Sequence, residues 1–101
     1  MKVFLANCGN PDYGQNPYKK LLGTESHFYE EGDSFEQASK ACLEYIKEFD
    51  LGGGNWSGGQ IIENGQMIAY TSYNGRVWKS DDKYFAQEKK RYEKKYKKYL
   101  V

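Results

Sequence analysis

Residues 51–79 read LGGGNWSGGQIIENGQMIAYTSYNGRVWK and hold most of the chain's glycines and both tryptophans, Trp56 and Trp78. Asn64-Gly65 lies between two β-prone runs, Gln60–Glu63 and Met67–Ser72. A two-residue hairpin turn needs positive φ at its centre, which Asn and Gly accept, so this pair predicts a hairpin. A second Asn-Gly, Asn74-Gly75, turns the chain into Arg76–Lys79. The stretch reads as a three-stranded antiparallel meander, with Ile62, Ile68, Tyr70 and Val77 as candidate core residues.

Working upstream, Ser34 stands three residues before Gln37, the spacing of a capping box, with Asp33 adding negative charge at the same end. Phe35, Ala38, Ala41, Cys42, Tyr45, Ile46 and Phe49 follow at helical spacing, which leaves Glu36, Lys40, Glu44 and Lys47 outward. This helix is expected to pack on the sheet and to end at Gly52-Gly53-Gly54, because glycine accepts the left-handed cap conformation. Lys2–Cys8 reads as a first strand, Val3 and Leu5 on one face, Phe4 and Ala6 on the other. Pro11 stops it. His27–Glu30 reads as a second strand. The polar loop between them contains two prolines and an expected helical turn around residues 18–22; its Tyr13 and Tyr18 read either as a cover over a site or as part of a solvated surface loop.

Downstream, Asp81 and Asp82 open a last helix, acids at its positive end. Phe85, Tyr92, Tyr96 and Tyr99 make a narrow aromatic stripe among lysines. So thin an apolar face does not sustain an isolated helix. It needs a surface: its own sheet, a second protomer or an anionic partner. The expected fold is therefore α+β, a small antiparallel sheet with one packed helix and a long basic C-terminal helix. One domain is expected over residues 1–101, a body of 1–80 and a helix of 81–101.

The net charge of +1 hides an asymmetry. Residues 83–101 carry eight Lys or Arg against Glu88 and Glu93, whereas residues 1–82 carry seven basic and twelve acidic residues. A basic tail on an acidic body points to an anionic partner, or to a tail that docks on another copy, hence an expected homo-oligomer. Two scattered cysteines, Cys8 and Cys42, make no disulfide framework and fit reduced thiols in a cytoplasm. No apolar run has the length of a membrane span, and residues 1–7 are too short for a signal-peptide core, so a cytoplasmic protein without membrane contact is expected.

For chemistry, Cys8 and the single histidine, His27, are the one conceivable nucleophile–base pair, and no motif surrounds them. No HExxH, CxxC or carboxylate cluster points to a metal. The expectation is a protein that is not an enzyme, with no cofactor, no metal and no catalytic residues. GGGNWSGG admits two readings. One is a helix cap followed by a bend into the sheet. The other is a nest of amides for an anion, with Trp56 stacking beside Asn55. The second Asn-Gly turn, flanked by Tyr73, Arg76 and Trp78, describes either a nucleotide pocket or a hairpin with a cross-strand aromatic pair. The basic helix reads as a phosphate-contacting element or as a solvated face over a packed Tyr stripe. The order helix, three strands, helix is shared with the double-stranded RNA-binding fold, whose last helix starts with basic residues; here Asp81-Asp82 stand in that place.

The short first strand, the amphipathic helix and the meander ending in NGR-W resemble small phage-encoded counter-defence proteins. Some anti-CRISPR proteins share this element order. A closer resemblance, over residues 55–91, is to the type-one Thoeris anti-defence family of cyclic-nucleotide sponges. That resemblance implies a signalling ligand, such as a cyclic ADP-ribose isomer, held between protomers by an aromatic residue, an asparagine and arginines. Asn74 and Arg91 match two of those roles; Tyr73 or Trp78 would be the aromatic and Arg76 the other arginine. The ligand-binding candidates are thus Asn55, Trp56, Tyr73, Asn74, Arg76, Trp78 and Arg91. The alternatives are an inhibitor that meets a CRISPR or other nuclease effector through its basic helix, and a plain nucleic-acid binder.

Overall fold

The structure, a computed structural model, describes residues 1–17, 19–21, 23, 24, 26–30 and 32–96, the last two by backbone alone. Five strands, β1 (Lys2–Leu5), β2 (His27–Tyr29), β3 (Gln60–Glu63), β4 (Gln66–Thr71) and β5 (Val77–Lys79), form one antiparallel sheet. Helices α1 (Phe35–Glu48) and α2 (Lys83–Tyr96) complete an α+β fold. The order across the sheet is β2-β1-β3-β4-β5, so β1 sits inside, between β2 and the meander.

The sequence of β1 explains its position. KVFL carries apolar side chains on both faces, and such a strand must be covered on both. Val3 and Leu5 lie beneath α1 with Cys42, Tyr45 and Ile61. Phe4 and Ala6 lie beneath α2 with Ile62, Phe85 and Tyr92. The last helix therefore finds its surface in its own sheet: Tyr92 is fully buried, its ring edge-on to Phe4 at 5.9 Å. Burying one such side chain stabilises by about 1.5–3 kcal/mol. The Tyr96 side chain, Tyr99, Lys97 and Lys98 lie outside the described residues, as do Tyr18 and Leu22, the ends of the expected 18–22 turn.

The two Asn-Gly turns differ. Asn64 (φ 53°) and Gly65 (φ 76°) both take positive φ, as a two-residue hairpin turn demands. In the second turn only Gly75 does (φ 87°). There Gly75 N–H donates to Ser72 O and Ser72 N–H to Arg76 O, both at 2.9 Å, which makes a three-residue loop and delays β5 to Val77. Within the meander Ile61 faces Ala69 and Ile62 faces Met67, so Ile68 is the extra residue of a β-bulge. The bulge divides the expected core: Ile62 and Tyr70 are buried under α2, while Ile68 and Val77 pack half-buried on the α1 side.

At the start of α1, Ser34 Oγ accepts from Gln37 N–H at 3.2 Å. The returning bond goes from Asp33 N–H to Gln37 Oε1 at 2.9 Å, one residue earlier than the usual box. The C-terminus corrects an expectation. The left-handed residue is Asp50 (φ 50°), not a glycine, with Leu51 N–H donating to Ile46 O at 3.0 Å. Aspartate tolerates this conformation through local hydrogen bonding. Gly53–Asn55 instead forms a short 3-10 turn that leads toward β3. The connection then runs hard against the sheet. Gly59 N–H donates to Phe4 O, and Thr71 N–H to Gly59 O, each at 2.7 Å. No helix among the described residues is long and apolar enough to cross a membrane.

Candidate functional site

The residues singled out from sequence fall in three separate places. Trp56 is a core residue. Its ring packs against Tyr45 at 6.0 Å between centroids, and its Nε1–H donates to Thr71 O at 3.0 Å. The stacking role read for it does not hold, because Trp56 pairs across to Asn7 and sends its side chain under α1. Asn55 is engaged in tying loops: its Nδ2 donates to Cys8 O at 2.9 Å and Gln15 Oε1 at 3.2 Å, and its Oδ1 accepts from Gly52 N–H. The amides of Gly52, Asn55, Ser57 and Gly59 already donate within the chain, and the Asn10 side-chain amide fills the space over Gly54. GGGNWSGG is thus a 3-10 turn and a bend into the sheet, with four of its amides already taken, rather than an open nest.

The second place is the β4–β5 hairpin. Asn74 Oδ1 accepts from Ser72 Oγ–H and from Arg76 N–H, so its side chain closes its own turn. Tyr73 Oη–H donates to Leu51 O at 2.8 Å, pinning the hairpin to the end of α1. The Arg76 guanidinium lies over the Trp78 ring at 4.0 Å, and Trp78 in turn packs on Tyr84 at 5.0 Å. An exposed cation on an indole is worth about 0.5–1 kcal/mol. These groups serve the hairpin itself.

The third place is the one with a cavity. Arg91 and Lys94 of α2, Cys8, Gly9, Pro11, Pro17 and Gly54 line a cleft of about 560 Å³. Asn74 does not line it, so within one chain Asn74 and Arg91 belong to different places. Three segments build the walls. The chain leaving β1 turns at Gly9, whose N–H donates to Asn16 O and Lys19 O; the proline loop is held by Asn10; and the glycine loop closes against Cys8, whose Sγ–H donates toward Gly54 O at 3.9 Å. Tyr13 stands on the same loop, 80% exposed.

Two cations border the cleft. Arg91 and Lys94 are exposed. Arg91 Nε lies 3.6 Å from Glu88 Oε2, beneath the helix. Burial pushes the Glu88 carboxyl up from its ordinary range, while the guanidinium pulls the other way. Burial likewise raises the Tyr70 phenol, with Glu88 adding to the effect. Of the ligand-binding candidates read from sequence, Arg91 alone lines this cleft. Sequence reasoning missed the walls, although two prolines in one loop and a lysine one helical step beyond Arg91 were visible signals.

The other thiol chemistry is separate. Both cysteines are free. Burial pushes the Cys42 thiol up to about 12, against the pull of the Thr71 hydroxyl. His27 stands exposed on the edge strand with its ring 6.0 Å from Tyr45, and no hydrogen bond among the described residues joins it to Cys8. Among the described residues, no three His, Cys, Asp or Glu side chains stand close enough to share a metal ion. No protein-family model, curated protein or solved structure matches this chain.

Proposed function

We propose that this chain is a non-enzymatic binding protein that retains a small phosphate-bearing ligand of nucleotide type in the Arg91 cleft. The observation that carries the reading is the convergence of Arg91 and Lys94 on one concave space of about 560 Å³. Small-ligand sites usually enclose roughly 300–1,000 Å³. Arginine presents a planar fork that matches two phosphate oxygens, and lysine adds a point charge. Pro11 and Pro17 supply apolar wall for a sugar or base, and Tyr13 is an exposed ring on the same loop. In the resemblance drawn from sequence, the ligand is a cyclic-nucleotide or ADP-ribose-type signal of bacterial defence, and the chain a phage sponge acting in the host cytoplasm. Arg91 is the residue common to that reading and the cleft.

Calorimetry with a panel of cyclic nucleotides and cyclic ADP-ribose isomers tests this. At least one member is expected to bind. Losing a charge-assisted contact costs about 1.5–3 kcal/mol, so Arg91→Glu, which also reverses the charge, should weaken binding about 100-fold. Asn74→Ala, away from the cleft, should leave affinity within about twofold, since distant sites act independently. Silence from every member of the panel overturns the reading.

A second reading rests on the outward side of α2, where Lys83, Lys90, Arg91 and Lys94 are exposed. That side suits a nucleic acid or a nucleic-acid-guided nuclease effector. Its mark is affinity for RNA or DNA that falls steeply with salt and disappears when Lys90 and Lys94 become Glu.

A further inference from the structure

A second concave surface lies on the opposite side of the sheet from α2. Phe35, Ser39 and Leu43 of α1 and Val77 of β5 form a groove of about 560 Å³, bordered by Glu36, Lys40, Glu44 and Lys47. Its floor is firmly built: Ser39 Oγ–H donates to Gly75 O at 2.6 Å, and Leu43 rests where a side chain on Gly75 would be. Leu43 is nevertheless 43% exposed, one of few large apolar side chains in that condition. The neighbouring sheet edge, β5, is only three residues long, with Arg76 before it and Lys79 at its end. Such an edge discourages strand addition, so the groove rather than the strand is the attractive feature.

The charges on this face identify the occupant. Read along α1, positions 36, 40, 44 and 47 run acid, base, acid, base. All four side chains are exposed, and among the described residues none has an ion-pair partner within the chain. An antiparallel copy related by a two-fold axis near residue 42 sets Glu36 against the partner's Lys47 and Lys40 against the partner's Glu44. Both pairs share that one axis, as closed two-fold symmetry requires. A parallel copy in register sets like charge against like. At a rise of about 1.5 Å per residue, the same axis leaves the two Leu43 side chains only about 4 Å apart along the helices, in contact across it.

We propose that the chain forms a two-fold homodimer through the exposed face of α1, with Leu43 of each copy closing the other's groove. The proposal is independent of the Arg91 cleft. α1 spans 14 residues. A helix of that size is about 21 Å long, and one face buries on the order of 500 Å² per copy, the low end for specific interfaces. The dissociation constant should therefore lie in the range of tens of micromolar.

Sedimentation equilibrium of the full chain, from about 5 to about 500 µM, brackets that range. A monomer–dimer transition is expected. Leu43→Asp should weaken association at least about tenfold, because an apolar contact becomes two facing charges. Lys40→Glu and Glu44→Lys alone should each weaken it about three- to tenfold, and the two together should restore it, since the swap re-forms the cross-axis pairs. Circular dichroism checks that these exposed substitutions leave the fold intact. A chain that stays monomeric at the highest concentration overturns the proposal. So does a dimer indifferent to Leu43→Asp, or a double swap no tighter than either single change.

Discussion

Alanine at position 59 is expected to destabilise the fold far more than alanine at position 14. Gly59 has φ 102°, beyond the left-handed pocket that ordinary residues visit, and a Cβ there would overlap the carbonyl oxygen of Thr71. The backbone has no room to yield, because Gly59 is bonded to both Phe4 and Thr71 at 2.7 Å. Conformational strain alone costs about 1–3 kcal/mol, and the overlap brings the total to roughly 4 kcal/mol or more. That is from about a quarter to about four-fifths of the stability of a domain worth about 5–15 kcal/mol. Gly14 is the matched control. Its φ is 71°, yet nothing lies near an added Cβ, so Gly14→Ala should cost only the left-handed backbone penalty of about 1–2 kcal/mol. Urea denaturation of the two variants checks the contrast. Equal midpoints would mean that the Gly59 crossing is not tight.

Truncating Tyr92 to alanine is expected to cost about 3–5 kcal/mol and to release α2. Tyr92 is fully buried against Phe4, and Phe85 is the other buried aromatic anchor of the helix. The rest of α2 is mostly charged, and a 14-residue helix of that kind does not persist unaided. Helical signal in circular dichroism should fall, and amide exchange across residues 83–94 should accelerate well before the sheet opens. Binding at the cleft should weaken too, although Arg91 is untouched, because its helix no longer holds it beside Gly9 and Gly54. Tyr92→Phe keeps the ring and should keep the helix docked. Unchanged exchange in Tyr92→Ala would show that this side chain does not anchor α2.

The local chemistry of the fold was legible. Ser34 with Gln37, the apolar spacing from Phe35 to Phe49 and the Asn64-Gly65 turn each depend on residues a few positions apart, and each appears, with the returning bond of Gln37 moved to Asp33. What escaped depends on distant segments meeting. Nothing near Asp50 says that it, rather than the glycine triplet after it, takes the left-handed cap. Trp56 looks like a surface aromatic beside glycines until Asn7, on the chain leaving β1, is laid alongside it. The site shows the same division. Arg91 was identifiable as a cation on a docked helix. Its companions, Gly9, Pro11, Pro17 and Gly54, come from two loops that only the folded sheet brings together.

The inside position of β1 has a consequence for how the chain is made. Val3 pairs with Ile61, and Phe4 is roofed by Tyr92, so a strand synthesised early waits for partners synthesised much later. While it waits, a nascent segment as apolar as VFLA has open edges and two greasy sides, the condition that invites chaperone capture or aggregation. The β3–β4 hairpin, closed by two residues, needs no such delay, since hairpins form in about 1–10 µs. Pulse-labelled hydrogen exchange during refolding should therefore find hairpin amides protected before those of β1. Simultaneous protection would mean that the two ends of the chain find each other as fast as neighbours do.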